Sequence, residues 1–176
     1  NAKKNAAVKI AGAETVFISS ASLFNYQHTE DAVNDFKIQP LMLNMLSYSG
    51  PKFAKADVNN DGLEDIFICG PHNQAGKIFI QKMNGELMLI PQPALDADAA
   101  SEDCNAVFFD ADKDGDMDLY VVSGGYAIEK NDSLLQDRLY INEKGNFIRR
   151  KESLPEEKIS GSVVVPLDAD NDGDAD

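Results

Sequence analysis

Acidic side chains recur at alternate positions in three nine-residue segments, Asp57 to Asp65, Asp110 to Asp118 and Asp168 to Asp176. Each fits the pattern D-x-[DN]-x-D-G-x-x-D. Hard oxygen donors spaced two residues apart around a bend are what a calcium cage requires. Positions 1, 3 and 5 supply Asp57, Asn59 and Asp61 in the first segment, Asp110, Asp112 and Asp114 in the second, and Asp168, Asp170 and Asp172 in the third. Glycine at position 6 permits the sharp turn. Position 7, occupied by Leu63, Asp116 and Asp174, is expected to offer its backbone carbonyl, which leaves its side chain free to vary. Asp65, Asp118 and Asp176 at position 9 are expected to close each cage. The sequence therefore calls for up to three Ca2+ ions, one per loop.

Donor chemistry selects the ion. A flexible loop offering five protein oxygens suits calcium with its six to eight ligands, whereas magnesium holds to a strict octahedron and keeps its waters. Zinc draws on His and Cys, which these loops lack. Such an ion either pins the strand-to-strand turn or regulates and bridges a ligand. A site ligated fully by protein keeps no open position for chemistry, which favours the pin.

The flanking residues exclude an EF-hand, which needs helices on both sides and a bidentate Glu at position 12. Position 12 here is Ile68 or Val121. Runs such as Ile66-Phe67-Ile68-Cys69 and Leu119-Tyr120-Val121-Val122 follow the loops, and Ala106-Val107-Phe108-Phe109 and Val163-Val164-Val165-Pro166-Leu167 precede the second and third. These β-branched and aromatic runs are strand signals, so each loop joins two strands. The first positions of successive loops lie 53 and then 58 residues apart, a repeat period typical of stacked supersecondary units. Lys77–Gln81 with Asn84-Gly85, and Arg138–Asn142 with Lys144-Gly145, read as hairpins by their turn residues. Each repeat thus runs strand, acidic loop, strand, long connection, strand, tight turn, strand.

The acidic loop between strands, followed by the Leu139-Tyr140-Ile141-Asn142 hairpin, resembles the FG-GAP or VCBS repeat, the blade of the integrin-α-like β-propeller. The leader residues His28, Glu30, Asp35-Phe36, Gln39-Pro40-Leu41 and Gly50-Pro51 are similar to those of the ASPIC/UnbV or CRTAC1-like group of bacterial surface proteins. The FG-GAP dipeptides themselves are absent, with Gly70-Pro71 and Gly124-Gly125 as partial echoes, which favours the VCBS branch. The resemblance implies an all-β fold, a β-propeller of four-stranded blades with calcium loops, present here as a partial propeller of about three blades. Residues 1–51 are then a leader packing on the propeller, 52–103 a first blade, 104–160 a second, and 161–176 the start of a third. The third motif stops at its ninth position, and the chain opens on Asn1. Both features read as a longer protein cut short, the second alternatively as a removed leader.

Of the net charge of -14, the three acidic segments contribute 13, from 14 carboxylates and Lys113. Nucleic acid is an unfavourable partner for such a chain, because a basic stripe is missing. No apolar run approaches the roughly 20 residues of a transmembrane helix. Calcium loops of this kind suit compartments rich in calcium, so an extracellular or outer-membrane surface location, with or without a lipid anchor, is expected.

Catalytic signals are sparse. His28 near Glu30 and Asp31 is a conceivable general-base pair, with a packing histidine as the plainer reading, and His72 sits on a loop beyond a strand end. Cys69 and Cys104 are either bridged or two apolar thiols. An eight-residue insertion within 123–137 supplies either an exposed contact or a cap in which Leu134 and Leu135 cover the core. The Met-rich stretch 40–48 reads as core or as a plug. Two function classes follow. One is a non-enzymatic cell-surface module that binds a protein or glycan partner, for example within an outer-membrane complex. The alternative is part of a calcium-dependent polysaccharide lyase or hydrolase whose active site lies in other blades.

Overall fold

The computed structural model describes residues 26–126, 128–170, 172 and 175. Among the described residues, eight strands form two four-stranded antiparallel sheets, each a simple meander. The first contains β1 (Phe53–Ala56), β2 (Asp65–Ile68), β3 (Lys77–Gln81) and β4 (Leu87–Ile90). The second contains β5 (Asp103–Phe109), β6 (Asp118–Ser123), β7 (Arg138–Glu143) and β8 (Asn146–Arg149). This is the strand order expected from the repeats. In both sheets the acidic segment is the connection between the first two strands.

Turn chemistry accounts for the meanders. Lys144 and Gly145 both take positive φ, 56° and 88°. That makes the β7–β8 turn a two-residue hairpin whose twist matches its strands. The β3–β4 turn is longer and closes through Gly85 at φ 83°, with Gly85 N–H donating to the Lys82 carbonyl.

Alternation along the strands sends one face of each sheet into a shared core. Register places Ala54, Phe67 and Ile78 side by side in the first sheet, and Phe108, Leu119 and Tyr140 in the second. These side chains, with Val58, Cys69, Val121 and Phe147, form one buried cluster. Phe108 and Phe147 meet at a ring-centroid distance of 6.3 Å. Burying such side chains contributes on the order of 1.5–3 kcal/mol each, so the interface between the sheets is the main source of stability.

Residues 91–101 lace the sheets together. Helix α1 (Pro93–Ala97) buries Leu95. Buried Gln92 receives the Phe147 backbone N–H and donates to the Gly145 carbonyl at 2.8 Å. Asp98 accepts from Tyr140 Oη at 2.7 Å and pairs with Arg149. At the other end of the interface Asp103 accepts from Gly70 N–H and pairs with Arg138, both Asp103 and Arg138 being nearly inaccessible.

Two expectations change and one alternative is settled. The apolar run Val163–Leu167 forms no strand; Gly161 N–H to Ser123 O and Val164 N–H to Asn105 Oδ1 join this segment to the second sheet. Single hydrogen bonds of that kind do not make the ladder a strand requires. The Met-rich stretch is not core of the described sheets, since Leu41 and Leu43 are 96 % and 99 % exposed. Its backbone is instead held by Asp35, which accepts from Leu46 N–H, Ser47 N–H and the Ser47 hydroxyl. The insertion resolves in favour of a cap: Ser133–Leu135 is a 3-10 turn that buries Leu135, while Tyr126 Oη donates to Gln39 Oε1. Cys69 and Cys104 are both free.

Candidate metal centre

Each of the first two acidic segments is a tight loop bent at two positions of positive φ. In the first these are Asn60 at 59° and Gly62 at 86°, and in the second Lys113 at 65° and Gly115 at 92°. The lysine side chain carries no Asx-type preference for that conformation, so the loop framework imposes it. Asp57 receives Asp61 N–H and Gly62 N–H, and Asp110 receives Gly115 N–H at 3.0 Å. The first-position carboxylate therefore organises the bend in both.

Positions 1, 3 and 5 differ between the loops. Asp110, Asp112 and Asp114 bring carboxylate oxygens to within 4.8 Å of one another. Asp168, Asp170 and Asp172 converge in the same way, with Asp172 N–H donating to Asp168 Oδ1 and Asp170 Oδ1. Three like charges at that separation repel by on the order of 1 kcal/mol per pair even at high dielectric. In the first loop Asn59 replaces the middle carboxylate, and its amide donates to Asp61 Oδ2 at 3.0 Å while its oxygen accepts Asp61 N–H.

One atom stands out in the second loop. Asp110 Oδ1 is buried and, among the described residues, has no hydrogen-bond partner. A buried carboxylate oxygen without a donor carries a desolvation cost that a cation would remove. The donor set fits calcium: an unsatisfied oxygen with two further carboxylates converging beside it.

Asp65 and Asp118, expected to close the cages, are each bonded to backbone donors at the base of the loop. Both are fully buried. Asp65 receives Val58 N–H and Gln81 N–H at 3.1 and 2.8 Å, and Asp118 receives Ala111 N–H and Asn142 N–H, each at 2.7 Å. Each carboxylate thus pins the second residue of its loop to the end of the third strand. Burial pushes both carboxyl groups upward in pKa, the backbone donors oppose it, and the neighbouring carboxylates Asp57 and Asp61, or Asp112 and Asp114, add to the rise. At position 7, the Asp116 side chain turns away from its own loop and accepts from Asn60 Nδ2 at 2.7 Å. Asp174 and Asp176 lie outside the described residues.

A residue outside the nine-residue pattern joins the two loops. Asn142, fully buried, donates from Nδ2 to the carbonyls of Val58 and Met117 and accepts Gly145 N–H at its Oδ1. It ties the first loop, the second loop and the β7–β8 turn at one point. The signal was present in the sequence as the Asn closing Leu-Tyr-Ile-Asn, but as a turn residue rather than a link between repeats.

Residues 57–121 match the family model of the FG-GAP-like repeat. The matched stretch opens on the first acidic loop, passes through β2, β3, β4 and the lacing segment, and ends in β6 beyond the second loop. It supports an FG-GAP-repeat protein. Within the matched stretch the second acidic loop carries the convergent carboxylates. No curated protein and no solved structure matches the chain.

The histidines each pair with a carboxylate. His28 Nε2 lies 2.7 Å from Glu30 Oε1, and His72 Nδ1 lies 2.6 Å from Asp31 Oδ2. With Gln74, which exchanges hydrogen bonds with Thr29 N–H and the Gln27 carbonyl, His72 fastens the leader to the β2–β3 connection. No helix among the described residues is long and apolar enough to cross a membrane.

Proposed function

We propose that this chain is part of a calcium-stabilised β-propeller of the cell surface or extracellular space, a binding and scaffold module rather than an enzyme. The two sheets are successive blades, and their partner is a protein or a glycan, an outer-membrane complex being one concrete setting. The VCBS-type rather than the integrin-type branch is part of this reading. The observation that carries it is the buried, unpartnered Asp110 Oδ1 beside Asp112 and Asp114, within a stretch that matches the FG-GAP-like repeat. Asp110, Asp112 and Asp114 would hold the ion in the second loop, Asp57, Asn59 and Asp61 in the first, and Asp168, Asp170 and Asp172 in the third. The ion would supply charge neutralisation and a fixed turn. Asp65 and Asp118 hold the frame behind it.

Titration calorimetry of the chelated chain with Ca2+ tests the reading, read beside thermal melts with and without the ion. A ligand at a hundredfold excess over its Kd stabilises by about 2.7 kcal/mol, and for a chain of this size each kcal/mol moves Tm by about 2–4 °C. A calcium-dependent rise on the order of 5–10 °C per occupied site is expected. Melts that coincide after thorough chelation would refute structural calcium.

A further inference from the structure

At the opposite end of the sheets from the acidic loops, the chain encloses a second site of different chemistry. A cavity of about 860 Å3 lies between the leader, the start of β5 and the insertion after β6. Its walls are largely apolar, with Ile38, Leu46, Pro51, Ile128 and Ile159 among them. That volume and lining are those of a small-molecule or side-chain pocket.

The charges are layered. Lys52 and Lys130 on the lining are solvent-exposed, and Lys158 is engaged with Glu156. The carboxylates sit deeper and are mostly matched. Asp103 is paired with Arg138, and Glu30 with His28. Glu102 differs: it is half-buried, it lines the cavity, and among the described residues no donor is bonded to its carboxylate. Gly125, at φ 97°, makes room for it, since a β-carbon there would fall 1.9 Å from Glu102 Oε2. An ordinary residue at 125 would displace the carboxylate. The Gly124-Gly125 pair, which the repeat pattern leaves unexplained, thus has a local reason.

We propose that this cavity binds an aliphatic ammonium group, as a free alkylamine or as a lysine side chain of a partner, with the ammonium on Glu102 and the alkyl stem along the apolar wall. A partly desolvated carboxylate without a donor gains most from a cation that brings its own N–H groups. The nearby carboxylates Glu30, Asp31 and Asp35 act on Glu102 in the same direction, with His72 opposing them, and the lining lysines are exposed or paired. Burial first, and these carboxylates next, raise Glu102 to about 7. Cys104, alongside, is itself pushed up to about 12 and is a neutral wall at physiological pH. A bound ammonium favours the ionised carboxylate, so binding releases a proton, and affinity strengthens as pH rises from 6 to 8. The ligand class refines the binding-module reading, but nothing in the pocket depends on calcium in the acidic loops.

The test uses the whole chain, with n-hexylamine and Nα-acetyl-lysine amide as probes and n-hexanol as the neutral isostere, followed by calorimetry at pH 6 and pH 8. Saturable binding of an amine is expected, weaker by up to tenfold at pH 6 than at pH 8 and at least tenfold weaker at pH 8 in Glu102→Gln, with hexanol weaker than hexylamine. Binding of hexylamine alone assigns the site to free amines, and binding of both probes assigns it to a lysine side chain as well. Equal binding of hexanol, or no effect of Glu102→Gln, overturns the proposal. A fold-independent arm is the Glu102 carboxyl resonance, which must titrate lower when amine is added. An unchanged titration also overturns it. Chelation leaves these readouts in place, so failure here and failure of structural calcium are separate results.

Discussion

The first two acidic loops share a frame and differ in their centre. In both, the position 1 carboxylate receives backbone N–H groups across the bend, and the position 9 carboxylate pins the loop to the end of the third strand. At position 3 the first loop has Asn59, which satisfies Asp61 internally, while the second has Asp112, a third negative charge beside the unpartnered Asp110 Oδ1. The comparison separates two jobs that the sequence pattern merges. Positions 1, 3 and 5 gather charge that asks for a cation, and position 9 satisfies backbone donors that exist with or without one.

The largest effect should come from the second job. Asp118→Ala leaves Ala111 N–H and Asn142 N–H without their shared acceptor inside the protein. Each buried unsatisfied donor costs about 1–3 kcal/mol. A loss of roughly 3 kcal/mol is expected by denaturant titration, equal with and without calcium, and Asp65→Ala should act in the same way. A loss confined to calcium-loaded protein would return Asp118 to the cage and collapse the distinction.

The first job is probed by exchanging the loop centres. Asn59→Asp should weaken the metal-free chain by on the order of 1 kcal/mol, from like charges a few ångströms apart, and should strengthen calcium binding at the first loop. Asp112→Asn should do the reverse in the second loop. Isothermal titration of both variants checks the pair. Parallel rather than opposite changes would mean that the loops do not differ through position 3.

Much of this frame was legible in the residues. Strand order, the loop between the first two strands and the Lys144-Gly145 hairpin follow from local alternation and turn chemistry, and local rules survive the rest of the fold. The backbone bonds of Asp65 and Asp118 were not legible. The nine-residue pattern reads these residues as ligands and carries no sign of the N–H groups of Val58 and Gln81, or of Ala111 and Asn142, which only the assembled sheet brings to them. Asn142 was visible as a turn residue, yet its bond to the Val58 carbonyl crosses 84 residues. Glu102 had no signal at all, being one Glu among many, and its position against Gly125 is purely tertiary. Val163–Leu167 misled because composition marks a strand without supplying its ladder.

Asp35 offers the smallest effect and the cleanest control, since it is a carboxylate that staples backbone without an acidic loop beside it. Burial pushes its carboxyl group upward in pKa, but the Ser47 hydroxyl and the backbone donors of Ser47 and Leu46 outweigh burial, and the net shift is downward. At Asp65 and Asp118 burial comes first and the acidic neighbours add to it, so that with comparable backbone donors the net shift is upward. A lowered folded-state pKa contributes stability that is present above the ordinary carboxylate range and disappears as pH falls through the lower folded value. Asp35→Asn keeps one acceptor but turns an N–H2 toward donors, at a cost of about 1 kcal/mol at pH 7. The gap between this variant and the parent should narrow as the pH of the melt is lowered from 5 to 3. A gap that stays constant over that range would show that the hydrogen bonds at Asp35 do not depend on its charge.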